Sequence, residues 1–480
     1  MYIFLLTILS IILRLINIDK PEGLWNDEYV SWFIASKPFF DGFWQEVLKQ
    51  CHLPLYYFYL KPFSACNDLV LRLTSVLPAV LSVPIMYFVG REFSKKNGFI
   101  CALVTSVLPF LIYYSQEVRF YSLLFCFSTL SLLFTIRLIQ GKNAWLGYCI
   151  SSLLILFTHV LGGIYVGLNF GYILYRKRKV SLKLVVLIIL TIFILLPFGI
   201  NIFRMLPSSQ WWGTFSYTNI LFLFTDYFSP ILTNHVNAPP IFFYSHDWLH
   251  LFLMIFPTCL ALLSIILGFK QERGLFVIAF GVVIITAFLA ITGKIVFITK
   301  YTIEILPILI LLFSLGIKGK WGNILLSIFV SIQLFSIVLP YHPVNKYRVE
   351  GHKLVANILN SQSQDVILFT YYDPIRFLRY LDTNAKMVSI SKTYRFDYER
   401  KPEEILDFMT NGDKVSIVFL DSVSFIPAEM LESAKQNNIP EMFLTFSKIR
   451  VGLLEELAKN YSDIKIARDG SWTVVSAVKY

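Results

Sequence analysis

Trp25-Asn26-Asp27-Glu28-Tyr29 places two adjacent carboxylates between aromatic side chains, directly after an apolar run. A carboxylate so placed can accept the proton of a hydroxyl as it attacks an electrophilic carbon, which is general-base work. One carboxylate, Asp27 with Glu28 beside it, suffices for a single inverting displacement, whereas a retaining reaction needs a carboxylate nucleophile. An acidic pair taken alone is more often a solvated loop start or a helix cap. Its aromatic neighbours, its place at a membrane surface and further polar breaks on the same side turn the reading towards chemistry.

The second constellation is Tyr113-Tyr114-Ser115-Gln116-Glu117-Val118-Arg119-Phe120-Tyr121. An arginine between two apolar runs is costly unless it is paired or hydrated. Pairing with Glu117 or Asp27 is the structural explanation; the functional one is a guanidinium that grips a phosphate by bidentate hydrogen bonds. Lys300, before Tyr301, offers a second cation, although a lysine that snorkels to the interface is commoner. His52 lies in Cys51-His52-Leu53-Pro54 and His159 in Phe157-Thr158-His159-Val160. A lone histidine is more often a hydrogen-bonded structural group than a ligand. No CxxC or HExxH pattern points to a metal, and no Gly-rich phosphate fingerprint to a nucleotide, so no metal or cofactor is expected.

The elements that position these groups follow from composition. The 480 residues are 56% hydrophobic and only 15% charged, against about a quarter charged in soluble domains. This is the composition of a polytopic α-helical membrane protein. The net charge of +11 does not indicate nucleic acid, because many basic residues cluster in short loops between apolar runs, the pattern of cytoplasmic loops. Residues 2–18 are about long enough to cross a bilayer. Arg14 near the far end, the missing basic start and the absence of a small-x-small cleavage site favour an uncleaved span over a signal peptide.

Further apolar runs cover 69–90, 99–114, 120–139, a long stretch at 145–175 that breaks near 159–162, then 184–200, 248–269, 275–291, 301–317 and 322–339. They make about eleven spans. With the amino terminus inside, the loops at 91–96, 141–143, 176–179, 270–273 and 318–320 fall inside, and each carries Lys or Arg. The long loops at 17–67 and 201–247, and the carboxyl-terminal region, then fall outside. Cys101, Cys126, Cys149 and Cys259 lie within apolar runs, where they act as small buried hydrophobes. Cys51 and Cys66 share an outer loop and have the option of a disulfide. Gly163, Gly167 and Gly171 recur every four residues and predict a close helix-packing face.

From about residue 341 the composition becomes that of a soluble domain. Runs at 365–369, 387–390 and 414–420 read as buried strands, 402–409 and 428–436 as helices, and 463–479 as a hairpin turning at Asp469-Gly470. The alternation predicts a small α/β domain with a central sheet. The expected division is therefore 1–340, a transmembrane domain, and 341–480, a soluble extracytoplasmic one.

Taken in order, Asn26-Asp27-Glu28-Tyr29, His52-Leu53-Pro54-Leu55-Tyr56, Ser115-Gln116-Glu117-Val118-Arg119-Phe120-Tyr121, Thr158-His159 and Lys300-Tyr301 before Leu306-Pro307 resemble the motifs of one superfamily. It comprises the protein O-mannosyltransferases and aminoarabinose transferases, membrane glycosyltransferases of GT-C fold that use polyprenyl-phosphate sugars. The resemblance covers about residues 1–340 and implies inverting transfer from a lipid-phosphate sugar to an acceptor hydroxyl at the outer face of the cytoplasmic membrane, in cell-envelope glycosylation. Asp27 matches the catalytic aspartate, and Arg119 and Lys300 match basic positions near the donor phosphate. Tyr29, His52, Gln116, Tyr121, His159 and Tyr301 are then expected to bind substrate. Partners would be the polyprenyl-phosphate sugar, a lipid, glycan or protein acceptor, and membrane lipids, with no nucleic acid. Two departures stand out. Leu53 follows His52 where proline is usual, and Lys300 replaces arginine, which keeps the charge and loses the planar fork.

Two other classes fit a polytopic chain. A flippase or transporter would carry polar residues deep in its spans or an inverted repeat, neither of which is clear here. An oligosaccharide ligase or polymerase would share the topology and take a diphosphate-linked donor.

Overall fold

The computed structural model describes residues 1–49 and 53–177 apart from Glu22, 218–232, 248–339 apart from Lys294 and Val296, 342–345, 352–369 apart from Ser363, 379–389, 413–420, 459–469 and 472–479, with isolated residues between these stretches. It divides into two compact units, one of Met1–Asp19 with Val30–Lys346, the other of Lys20–Tyr29 with Tyr347–Tyr480.

The first unit is helical. α1 (Tyr2–Leu15) is followed by α2 (Asn26–Ser36), whose first residues belong to the other unit, and by the short α3 (Trp44–Leu48) and α4 (Leu55–Leu60). Then come α5 (Asp68–Arg91), α6 (Lys95–Val107), α7 (Pro109–Ser115), α8 (Tyr121–Ile139), α9 (Trp145–Thr158) and α10 (Gly162–Lys177). Beyond them lie α11 (Thr218–Phe228), α12 (Trp248–Phe269), α13 (Arg273–Ile291), α14 (Leu306–Gly316) and α15 (Gly319–Ser336). Among the described residues five helical stretches are long and apolar enough to cross a membrane, six if the bent pair α6 and α7 counts as one. The expected span at 184–200 lies almost wholly outside the described residues.

Local chemistry sets the helix ends. Asn67 Oδ1 accepts the Val70 N–H at 3.0 Å to open α5, and Ser94 Oγ accepts the Asn97 N–H at 3.0 Å to open α6. The run 99–114 is not one straight helix. Leu108 is extended before Pro109, and α6 and α7 meet at 56°, because the residue before proline is pushed out of the helical region. The 145–175 run breaks between Thr158 and Gly162 as expected. Within 201–247, read as loop, the described part contains α11.

Arg14, on α1, is wholly buried. Its guanidinium donates to Ser10 Oγ (2.6 Å) and to the carbonyls of Thr105 (3.0 Å) and Ser106 (3.1 Å), so a costly charge becomes the bond between α1 and α6.

The glycine expectation is corrected. Gly167 and Gly171 are exposed, and a Cβ at either would meet nothing within 4 Å among the described residues. Four-residue spacing puts small residues on one face without saying whether a neighbour covers it. The close approach is elsewhere: a Cβ at Gly268 would lie 1.9 Å from the Leu312 carbonyl oxygen, and one at Gly316 1.9 Å from that of Ser264. These glycines let the backbones of α12 and α14 touch. Cys101 and Cys126 are buried as expected, whereas Cys149 is half-buried and Cys259 exposed, because an apolar helix also has an outward face. Cys51 lies outside the described residues.

Loops predicted on one side of the membrane meet at one end of this unit. Glu92 accepts from Arg137 Nε at 2.8 Å and from Lys142, and Lys96 Nζ donates to the Ile317 carbonyl at 3.2 Å. Gln271 bonds the Leu315 carbonyl, and Arg176 at the end of α10 is close enough to act on the Glu272 carboxyl. Burial pushes the Glu92 carboxyl up, but hydrogen bonds from Lys142 and Arg137 outweigh it and hold the group below the usual carboxylate range.

The second unit is built on a five-stranded sheet of β1 (Val366–Phe369), β2 (Lys386–Ser389), β3 (Lys414–Leu420), β4 (Tyr461–Asp469) and β5 (Trp472–Lys479), in the order β2-β1-β3-β5-β4. β1 runs parallel to β2 and β3; β5 is antiparallel to β3 and β4. The hairpin appears where expected, with Asp469 opposite Trp472. α16 (His352–Asn360) buries Val355, Ala356 and Leu359, and its Val355 and Leu359 join Ile367, Ile417 and Val475 in the domain core. The predicted helices at 402–409 and 428–436 lie outside the described residues.

Candidate active site

Most of the predicted donor-side residues meet at one end of the helical unit. The polar break between α7 and α8 is a tight turn in which the Arg119 N–H donates to the Glu117 carbonyl at 2.7 Å. Gln116 Nε2 donates to the carbonyls of Arg14 (3.1 Å) and Ile16 (2.6 Å), fastening this turn to the end of α1. Ser75 Oγ, from α5, donates to the Arg119 carbonyl at 3.4 Å. Arg119 is 4% exposed; its guanidinium donates to Ser31 Oγ at 3.2 Å and lies 5.4 Å from the Phe120 ring centroid.

From Phe120 a row of flat rings leads to the second cation. His159, in the break between α9 and α10, stacks on Phe120 at 4.8 Å and on Tyr301 at 5.6 Å. Lys300 Nζ lies 5.7 Å from the Tyr301 ring centroid and 5.5 Å from that of Tyr121. Two buried cations therefore flank a stack of aromatic rings, each within cation–π reach of one. Burial first, and then the charge of Arg119, push the His159 imidazole down to about 3, so at neutral pH it is an uncharged spacer rather than a third cation.

Lys300 sits on a 3₁₀ segment, Thr299–Ile305, whose helical geometry is interrupted at Thr302. α11 grips this interruption. Asp226 Oδ2 accepts from Thr299 Oγ1 at 2.8 Å, and Tyr227 Oη donates to the Thr302 carbonyl at 2.7 Å. The same hydroxyl is 2.8 Å from Thr302 Oγ1, which in turn donates to the Thr299 carbonyl at 3.0 Å. Sequence reasoning missed Asp226 and Tyr227, because no periodicity marks α11 within a stretch dense in aromatic and polar residues. It also missed Glu304, one turn past Lys300, which is fully buried with neither carboxylate oxygen hydrogen-bonded among the described residues.

Asp27, Glu28 and Tyr29 belong to the other unit and occupy the first turn of α2. Glu28 is buried, and its Oε2 accepts the Trp25 N–H at 3.1 Å, the reach-back of a capping box that closes the helix start. The Tyr29 N–H donates to the Trp25 carbonyl at 2.8 Å, and its ring is buried. Of the two carboxylates Glu28 thus carries a structural bond, while Asp27 is only half-buried. His52 lies outside the described residues.

This architecture, apolar helices with a carboxyl-terminal mixed sheet, defines an integral membrane protein. No protein-family model matches the chain, and no curated protein does. Solved structures do. The crystal structure of ArnT from Cupriavidus metallidurans in the apo state superposes with a TM-score of 0.57 at 12% identity, covering 99% of this chain and 97% of that one. The structure of ArnT bound to undecaprenyl phosphate gives 0.52 at 12% identity, covering 99% and 98%. At such identity the likeness is one of fold.

Proposed function

We propose that this protein is an inverting glycosyltransferase that moves a sugar from a polyprenyl-phosphate donor to an acceptor hydroxyl, with Asp27 as general base. The observation that carries the proposal is the meeting of Arg119 and Lys300 around the Phe120–His159–Tyr301 ring row. Two buried cations suit an anionic leaving group, since charge attraction strengthens where water is excluded. The likeness to a fold solved with undecaprenyl phosphate supports a lipid-linked donor. Arg119 supplies the planar fork and Lys300 a compact second charge as the sugar–phosphate bond breaks. Asp27 takes the acceptor proton while the sugar carbon inverts. The bond formed is the new glycosidic C–O, the bond lost is that to the phosphate oxygen, and the phosphate leaves as the polyprenyl phosphate anion.

In this reading residues 1–340 form the catalytic membrane domain, residues 341–480 the soluble domain, and the Lys- and Arg-bearing loops face the cytoplasm, so that Asp27 and the soluble domain face outward. Tyr29, His52, Gln116, Tyr121, His159 and Tyr301 shape the substrate site.

The test is mass analysis of products formed by the full chain in nanodiscs from a panel of polyprenyl-phosphate sugars with lipid, glycan and peptide acceptors. The expected result is free polyprenyl phosphate and an acceptor heavier by one monosaccharide. Donor movement between leaflets without product, or turnover of diphosphate-linked glycans alone, would overturn the proposal.

A further inference from the structure

The segment that carries Asp27 is built into the carboxyl-terminal domain. Residues Lys20–Tyr29 form one compact unit with Tyr347–Tyr480, and the attachment is specific. The Leu24 N–H donates to Tyr380 Oη at 2.8 Å, and the Leu24 carbonyl lies 3.2 Å from His352 Nδ1, which donates to it. Both backbone groups of a residue three before Asp27 are thus held by side chains 356 and 328 positions away in sequence. Leu24 itself is fully buried.

Both arms of the grip are tied to α16. His352 opens that helix, and its ring meets Phe377 edge-on at 5.1 Å. Asn360 closes the helix, donates through Nδ2 to the Tyr380 carbonyl at 2.9 Å and accepts the Asp382 N–H at 2.9 Å. Gly23 shows how close the fit is. Its φ is +82°, and a Cβ there would lie 2.7 Å from Lys353 Cβ and 2.8 Å from Tyr380 Oη. Beyond Leu24 the Glu28–Trp25 cap fixes the first turn of α2. The chain is therefore pinned on both sides of Asp27.

We infer that the carboxyl-terminal domain is the positioning element of the proposed base: His352, on α16, and Tyr380, tied by its carbonyl to Asn360 at the end of that helix, set the place of Asp27 through the backbone of Leu24. The inference rests on the reading of Asp27 as general base. A base must be held within hydrogen-bond reach of the proton it takes, and a misplacement of about 1 Å can cost about a hundredfold in rate. Tyr380 and His352 touch no reacting atom in this scheme; they act through the loop.

The experiment compares wild type, Tyr380→Phe, Gly23→Ala and Asp27→Asn, and the first two substitutions in the Asp27→Asn background, as full chains in nanodiscs. Undecaprenyl-phosphate-linked mannose and aminoarabinose serve as donor probes, and hydrogen exchange is followed over residues 20–29. Tyr380→Phe should speed exchange there by about tenfold, with α5 unchanged. It should lower kcat by about tenfold and leave the donor KM within about twofold; Gly23→Ala should cost about a hundredfold. Neither should lower the residual rate of Asp27→Asn further, because two changes that act through one group do not add.

Unchanged exchange in both variants overturns the inference. So do unchanged kcat values alongside an inactive Asp27→Asn, which leaves the assignment of Asp27 standing, and equal losses in both backgrounds, which mark general unfolding. If Asp27→Asn turns over at the wild-type rate, the assignment of the base falls and the inference with it.

Discussion

Removing one hydroxyl, in Tyr227→Phe, tests whether the turn that carries Lys300 is held from α11. The ring stays packed edge-on against Phe110 at 4.9 Å, so the change is confined to hydrogen bonding. What is lost is the 2.7 Å bond to the Thr302 carbonyl, the 2.8 Å contact with Thr302 Oγ1 and the longer 3.3 Å approach to the Thr299 carbonyl, all buried. Leaving buried acceptors without their donor costs about 1–3 kcal/mol. Thr302 sits where the 3₁₀ geometry is already interrupted, at φ −114° and ψ 20°, so the loosened element is the turn itself. If about half of that cost, about 1 kcal/mol, is felt when the donor phosphate binds Lys300, the donor KM rises about fivefold, at 1.4 kcal/mol per decade. The kcat should stay within about twofold. Steady-state kinetics with a polyprenyl-phosphate sugar reads both, and thermal unfolding reads stability. An unchanged donor KM with a lowered melting temperature would show that the hydroxyl holds the fold and not the cation.

Other substitutions probe separate parts of the account. Gly316→Ala would put a Cβ 1.9 Å from the Ser264 carbonyl oxygen, so α12 and α14 must part by about 1 Å or more, a loss of about 1–3 kcal/mol that a lowered melting temperature should show. Arg119→Lys keeps the charge and loses the fork and the reach to Ser31; the donor KM should rise about tenfold, and an unchanged KM would remove Arg119 from the phosphate site. For His159, with its imidazole pushed down to about 3 in the folded protein against about 6.5 unfolded, the unfolded chain binds the extra proton between those values. Stability should therefore fall as pH drops below about 6.5, and His159→Phe should show a shallower fall in melting temperature between about pH 6.5 and 4.5. Equal slopes would contradict it.

What was legible in the sequence followed from local rules. Apolar length located α5, α8, α12 and α13; the Thr158–Gly162 break and the Asp469-Gly470 hairpin followed from turn chemistry; strand runs located β1, β2 and β3. Arg119, Tyr121, His159, Lys300 and Tyr301, which the motifs single out, come together through Phe120, whereas Gln116 bonds the end of α1. The rest depends on contacts that no local pattern encodes. Arg14 spends its charge on carbonyls about ninety positions away. Gly167 and Gly171 on α10 have the spacing of a packing face, yet a Cβ at either would meet nothing within 4 Å among the described residues, while Gly268 and Gly316, with no repeat to flag them, bring two backbones together. The attachment of Leu24 to Tyr380 and His352 spans most of the chain. Local propensity reveals which elements form; the partner each one finds is a property of the whole fold.

The most direct test of the central claim is single-turnover transfer from a polyprenyl-phosphate sugar by wild type and Asp27→Asn, with both proteins shown to be folded and to bind donor equally. The asparagine variant should bind donor like wild type and transfer about 10²–10⁴-fold more slowly, the usual contribution of a general base. Transfer at the wild-type rate by folded Asp27→Asn would contradict it.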